Sequence, residues 1–135
     1  MRPYFPDRSD QLYPFASWLR AGIAVAGSSD APVITADPLL GIRDAVLRRT
    51  GEGRVLGPQE RLPARDALAI YTRGAAFAIH REDEIGSLES GKLADFVVLD
   101  ANPLEIDAER IGGIRVLATV IGGTPVYQSG TVFPG

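Results

Sequence analysis

The chain has 135 residues, of which 45% are hydrophobic and 23% are charged, an ordinary composition for a globular protein. Its net charge of -3 and its scattered arginines give no electrostatic case for binding nucleic acid or an anionic membrane. The absence of cysteine excludes disulfides, thiolate catalysis and cysteine-held metal, and no stretch approaches the ~20 apolar residues of a membrane span. Because residues 1–7 have no apolar signal-peptide region, we expect a cytoplasmic protein.

The first elements in the chain indicate an α/β fold. Apolar residues at helical spacing from Leu12 to Leu19 predict a helix that ends before Gly22. The run Ile23–Ala26 does not alternate with polar residues, which is typical of a strand buried on both faces of a parallel sheet. It stops at a polar turn that ends in Asp30. Since such a strand needs hydrogen-bonding neighbours on both sides, we expect this half to be part of something larger or to pair with another chain.

A second helix is predicted to begin at Asp37 and Pro38. Asp37 can cap the free amides of the first turn, and proline at the first helical position loses no needed donor. Leu39, Ile42 and Val46 are expected to face inward, and Arg43, Asp44 and Arg48 to face water. The segment after this helix, residues 50–61, is glycine-rich and polar, and predicts a loop.

The chain changes character near residue 84. Before it, a third helix is predicted from Pro63 to about Ile79, with an apolar stripe of Ala67, Leu68, Tyr71, Ala75 and Ala78. After it, the runs Phe96–Leu99 and Val116–Ile121 are rich in residues that favour strands. Two glycines then separate Val116–Ile121 from Thr124–Tyr127, which predicts a β-hairpin with a two-residue turn.

Three segments carry a likeness to a known family. Gly27–Val33 resembles the end of the last barrel strand in the amidohydrolase superfamily, and Gly86–Asp100 resembles the C-terminal signature of that superfamily. Ala67–Ala76, between them, resembles the helix that precedes the signature. The likeness runs from Tyr13 to Tyr127 and is nearest to the amidohydrolase 3 group, whose members are mostly metal-dependent hydrolases of amide-like bonds.

The resemblance implies an α/β plus β fold, namely the C-terminal fragment of a TIM-barrel amidohydrolase followed by part of its small β-sandwich. Residues 1–84 would be the C-terminal remnant of the metal-hydrolase barrel, with the last strand and its helices. Residues 85–135 would be the C-terminal strands of the composite sandwich. The other barrel strands would be absent, in agreement with the unpaired strand inferred above, so we expect a truncated chain, a C-terminal portion or one piece of a split enzyme.

The resemblance assigns catalysis to Asp30. In the family, an aspartate at the end of the last strand takes a proton from a metal-bound water, which attacks the substrate carbonyl, and passes a proton to the leaving nitrogen. For the complete enzyme this implies hydrolysis of amide-like, non-peptide C–N bonds in a small molecule. It also implies a divalent metal, with zinc expected and Asp30 as a candidate ligand. Considered without the family, Asp30 would simply order a turn.

The other metal ligands of the family have no counterpart in this sequence. The His-x-His pair, the later histidines and the bridging lysine or glutamate are all missing, and His80 is the one histidine of the chain. His80 follows the third predicted helix, so we expect it to be a surface or helix-end residue. A hydrolase metal normally takes several imidazole or carboxylate ligands, so the isolated chain is expected to hold no catalytic metal and to be inactive.

Three alternatives stay open on the sequence alone. The chain could be a non-catalytic module derived from this fold, which self-associates into a homo-oligomer through exposed strand edges. It could also be a small enzyme that uses Asp30 alone. Gly86–Lys92 fits the spacing of a phosphate-binding loop, but Leu93 stands where serine or threonine is needed. We therefore expect Lys92 to order a turn between two strands and Asp95 to accept backbone hydrogen bonds.

Overall fold

The computed structural model describes residue 8 and residues 11–133. The four α-helices are α1 (Phe15–Arg20), α2 (Pro38–Leu47), α3 (Ala64–Tyr71) and α4 (Arg73–Ala78), and the three strands are β1 (Phe96–Leu99), β2 (Val116–Ile121) and β3 (Thr124–Gln128). The 3₁₀ helices Pro58–Glu60 and Ala108–Gly113 lie in connections between these elements. The expectation about residues 1–7 concerns a segment outside the described residues. No helix within the described ranges is long and apolar enough to cross a membrane.

The core lies where α2 meets α3 and the 3₁₀ helix Ala108–Gly113. Its fully or nearly fully buried side chains are Ala16, Leu39, Ile42, Ala45, Leu62, Ala67, Ile70, Ile111 and Ile114. Ile111 has no exposed surface, so this short connection fastens the strand-rich half onto the helices. The predicted inward positions of Leu39 and Ile42 are confirmed.

The start of α2 follows the sequence prediction closely. The side chain of Asp37 accepts a hydrogen bond from the backbone N–H of Leu39 at 2.9 Å, and Pro38 is the first helical residue. The cap satisfies one of the amides that the first helical turn leaves free. The prediction of a capped helix at this position is confirmed.

The sheet is antiparallel, with strand order β1-β2-β3. Gly122 and Gly123, at φ +55° and +80°, form the turn between β2 and β3, so the predicted hairpin is confirmed. The carboxylate of Asp95 accepts a hydrogen bond from the N–H of Gly122 at 2.6 Å, as expected for a structural aspartate. It thereby joins the residue before β1 to the hairpin turn.

The prediction of a strand at Ile23–Ala26 is wrong for the described chain. These residues belong to no helix or strand, and Ile23 is 52% exposed. The described sheet is built entirely from later residues, so the segment lies instead across the α3–α4 junction, where the N–H of Gly27 donates to the carbonyl of Ile70 at 2.9 Å. A Cβ added at Gly74 would overlap the carbonyl oxygen of Val25, so the approach requires glycine in α4.

The third predicted helix is also corrected, because it is two helices with a break at Thr72. Thr72 has φ -115° and ψ -86°, and its hydroxyl donates to the carbonyl of Leu68 at 2.9 Å. Such side-chain bonds to the preceding turn compete with helical backbone bonds and bend helices. The change of direction buries Ala76 and leaves Ala78, a member of the predicted stripe, exposed.

Candidate functional site

Asp30 follows residues 23–29, which belong to no helix or strand, and begins the turn at residues 30–33. The hydroxyl of Ser28 accepts a hydrogen bond from the N–H of Asp30, and that of Ser29 accepts one from the N–H of Ala31, both at 3.3 Å. The carbonyl of Asp30 accepts a further bond from the N–H of Val33 at 2.9 Å. Asp30 itself has φ +54°, a left-handed conformation that aspartate tolerates better than most residues. The turn therefore presents an exposed carboxylate on a backbone held from both sides.

Asp30 lines a cleft of about 560 Å³. The apolar lining includes Leu12, Tyr13, Phe15, Val33, Ile34 and Leu56, and the polar lining includes Ser28, Ser29, Asp44, Arg48 and Thr50. Within the described ranges, no residue donates a hydrogen bond to the carboxylate of Asp30. A mostly apolar cleft with a few polar groups, one of them an unpaired carboxylate, is the usual form of a small-molecule site.

Arg48 forms the floor of this cleft, and its burial corrects the prediction that it faces water. The residue is 8% exposed, and its guanidinium donates to the carbonyls of Leu12, Tyr13 (2.8 Å) and Leu56 (3.0 Å). Burial lowers the pKa of the Arg48 side chain, an effect that the negative charge of Glu60 opposes. Arg48 caps the C-terminus of α2 at φ +55°, so the chain turns at this residue.

Glu60, in the 3₁₀ helix Pro58–Glu60, is a second buried charge. Its carboxylate accepts hydrogen bonds from the N–H and the hydroxyl of Ser17 in α1, at 2.8 and 2.6 Å, and lies 3.7 Å from Arg20. These two bonds from Ser17, followed by the charges of Arg20 and Arg48, hold the pKa of Glu60 below its ordinary value, although burial acts in the opposite direction. Glu60 therefore attaches α1 to the loop that follows α2.

Tyr71, the last residue of α3, lines the same cleft as Asp30. Its hydroxyl donates to the carbonyl of Ser28 over 3.4 Å. Burial raises the pKa of the Tyr71 phenol, and the charge of Asp44 raises it further. Sequence reasoning placed Tyr71 only on an apolar stripe, and it missed Arg48 as a cleft residue altogether. No local signal marks either role, because both depend on contacts with distant segments.

The described residues do not provide a metal-binding set. No three His, Asp, Glu or Cys side chains cluster in the part of the chain that the structure covers. His80 is exposed at the end of α4 with φ +57°, which confirms the prediction of a helix-end residue. A metal centre with Asp30 as a ligand would need its other ligands from outside the described residues, so this role of Asp30 stays a prediction.

Lys92 orders a turn, as expected once the phosphate-loop interpretation was set aside. Its ammonium group donates to the carbonyl of Glu82 at 2.5 Å and to the hydroxyl of Ser87 at 2.8 Å. The side chain is 17% exposed, so the charge faces its own loop and is not presented to a ligand. The element before this turn is helix α4, and not the strand that was expected.

Comparison with known proteins identifies the family. The profile of the amidohydrolase family matches residues 1–127. The chain is similar to YtcJ of Bacillus subtilis, with 38% identity over 90% of this chain and 24% of YtcJ. It is 37% identical to the N-substituted formamide deformylase of Arthrobacter pascens, over 87% of this chain and 22% of that enzyme.

A solved structure supports the same relationship. The crystal structure of a metal-dependent hydrolase from Pyrococcus horikoshii superposes with a TM-score of 0.66 and 34% identity, over 76% of this chain and 21% of that one. The chain thus spans about a quarter of the length of the relatives that it matches. The comparisons do not favour the alternative of a non-catalytic module. This polypeptide, whose described residues form a small α/β unit with a three-stranded antiparallel sheet, belongs to the amidohydrolase family.

Proposed function

We propose that this chain supplies Asp30 as the proton-transferring carboxylate of a hydrolase that acts on amide-like, non-peptide C–N bonds in small molecules. The observation that carries the proposal is the position of Asp30, an exposed carboxylate without a hydrogen-bond donor among the described residues, on the wall of a cleft. The similarity to a deformylase supports a substrate with a C–N bond next to a carbonyl.

The proposed role of Asp30 is that of a general base and then a general acid. As the oxygen of a water molecule bonds to the substrate carbonyl carbon, the carboxylate of Asp30 accepts one proton of that water. When the C–N bond breaks, the carboxylic acid returns the proton to the leaving nitrogen. The net reaction is hydrolysis, and Asp30 ends in its starting form. The apolar part of the cleft would hold the substrate and exclude competing water.

The metal ligands and the remaining walls of the site would come from residues other than those described. By the family resemblance, residues 1–84 would form the end of a TIM-barrel domain and residues 85–135 part of a β-sandwich domain. The divalent metal of such a hydrolase, with zinc as the expected ion, would be held mainly by histidines that the described residues lack. Accordingly, we expect the isolated chain to have no hydrolase activity.

A chimeric enzyme tests the role of Asp30. Residues 13–127 would replace the matching segment of the Arthrobacter deformylase, and hydrolysis of an N-substituted formamide would be measured by release of formate. We expect the Asp30→Asn chimera to lose about 10²–10⁴-fold in kcat, because the amide keeps the shape of the side chain but cannot accept the proton. Asp44→Asn, in the wall of the same cleft, is the matched control. An active chimera that is equally fast with Asn at this position would contradict the proposal.

A further inference from the structure

The aromatic ring of Tyr71 lies between two glycines from different segments. A Cβ added at Gly27, in the segment before Asp30, would lie 2.5 Å from ring atoms Cδ2 and Cε2. A Cβ added at Gly41, in α2, would lie 2.6 Å from Cζ and closer still to the hydroxyl oxygen. Real Cβ atoms essentially never approach another atom closer than 3.0 Å. Both positions must therefore lack a side chain for the ring to occupy this space.

The last two residues of α3 also contact the residues that lead into the Asp30 turn. The carbonyl of Ile70 accepts the N–H of Gly27 at 2.9 Å, and the hydroxyl of Tyr71 donates to the carbonyl of Ser28 over 3.4 Å. These contacts reach the two residues that lie three and two positions before Asp30. The hydroxyl bond is long, so the packing of the ring contributes more than the bond does.

We propose that Tyr71 is the positioning residue for Asp30: its ring, wedged between Gly27 and Gly41, fixes the backbone that places Asp30 on the wall of the cleft. This inference rests on the proposed function only for the role of Asp30 in proton transfer. The raised pKa of Tyr71 is consistent with the enclosure of the ring, since burial is its main cause. Tyr71 acts through the backbone of the turn and does not itself take part in the reaction.

The test uses the full 135-residue chain and two-dimensional NMR of its backbone amides, with no turnover measured. Gly27→Ala, Gly41→Ala and Tyr71→Leu are each expected to shift the amide resonances of Ser28, Ser29 and Asp30. Alanine stabilises a helix relative to glycine, so helix propensity alone would make Gly41→Ala favourable for α2. A shift of the turn resonances in this variant would therefore come from the contact with the Tyr71 ring. In Gly41→Ala we also expect the pKa of the Tyr71 phenol to fall toward its ordinary value of 10.0. The NMR signal of the ring carbon that bears the hydroxyl measures this pKa.

Two variants serve as matched controls. A Cβ added at Gly51 would have no atom within 4 Å, so Gly51→Ala is expected to leave the turn resonances in place. Tyr71→Phe keeps the ring and is expected to restore nearly all of what Tyr71→Leu loses. Resonances of the β2–β3 hairpin report whether each variant keeps its fold.

The test gives a result even if one of the variants does not fold. Tyr71→Leu introduces no overlap, so it provides the answer if Gly27→Ala is unfolded. Turn resonances of a folded Tyr71→Leu at their original positions would overturn the proposal, as would equal shifts in Tyr71→Phe and Tyr71→Leu. Because the readout is structural, failure of this inference leaves the Asp30→Asn result intact. An unaffected Asp30→Asn chimera likewise leaves the positioning contacts unchallenged.

Discussion

Replacement of Arg48 by methionine would remove the donors from the floor of the cleft while keeping an unbranched apolar stem. The guanidinium donates to three backbone carbonyls, those of Leu12, Tyr13 and Leu56. Hydrogen bonds from charged donors contribute about 1.5–3 kcal/mol each when they are well shielded. Leu12 and Tyr13 are 36% and 67% exposed, so water can replace part of the loss at their carbonyls. We therefore assign about 1 kcal/mol to each bond, and expect Arg48→Met to lower the free energy of unfolding by about 3 kcal/mol.

Urea denaturation followed by far-ultraviolet circular dichroism measures this loss. With an m-value of about 2 kcal/mol per molar urea, the midpoint should fall by about 1.5 M while the slope stays constant. Arg54→Met is the matched control, because Arg54 is an exposed arginine in the following loop. If the two variants differed by less than about 1 kcal/mol, a single ordinary hydrogen bond, the reasoning about the Arg48 bonds would be refuted.

Two further predictions concern the charged side chains of Glu60 and Lys92. The pKa of Glu60 is lowered in the folded state, so its carboxylate stabilises the fold above the unfolded value near 4.5, and this contribution is lost as pH falls through the lower folded value. Glu60→Gln should therefore weaken the pH dependence of stability in urea below about pH 4.5. Glu52→Gln, at an exposed loop position, should leave this dependence unchanged. Equal pH curves for the two variants would contradict this role of Glu60. Lys92→Met should lower the free energy of unfolding by about 2 kcal/mol, because the carbonyl of Glu82 and the hydroxyl of Ser87 lose a charged donor. Thermal denaturation checks this value, and an unchanged melting temperature would show that the turn does not depend on the ammonium group.

Features caused by neighbouring residues could be predicted from the sequence. The cap at Asp37 depends on Pro38 and Leu39, and the hairpin depends on two adjacent glycines, so both predictions hold. The turn at Lys92 is of the same kind, because its acceptors lie 5 and 10 residues away. In such cases the physical cause is contained in one short window of the chain.

Features caused by distant segments could not be predicted in this way. The apolar run Ile23–Ala26 has the composition of a buried strand, but strand formation requires partners that the described residues do not supply. The guanidinium of Arg48 donates to carbonyls 35 and 36 residues away along the chain. These partners are not visible in the local sequence, so Arg48 was expected to face water like other polar helix positions. At Asp30 the sequence indicated a functional turn, whereas the cleft around it and the ring of Tyr71 became visible only in three dimensions.

The break at Thr72 has a consequence for the chain lengths that relatives of this protein can adopt. An α-helix rotates about 100° per residue, so one residue added or removed between Tyr71 and Gly74 would turn the bare side of Gly74 away from Val25. A side chain would then meet the carbonyl oxygen of Val25, and the polypeptide leading to Asp30 would be displaced. The exposed loop at residues 51–54 carries no such constraint. Insertions and deletions should therefore accumulate in that loop and be rare in the four residues from Tyr71 to Gly74.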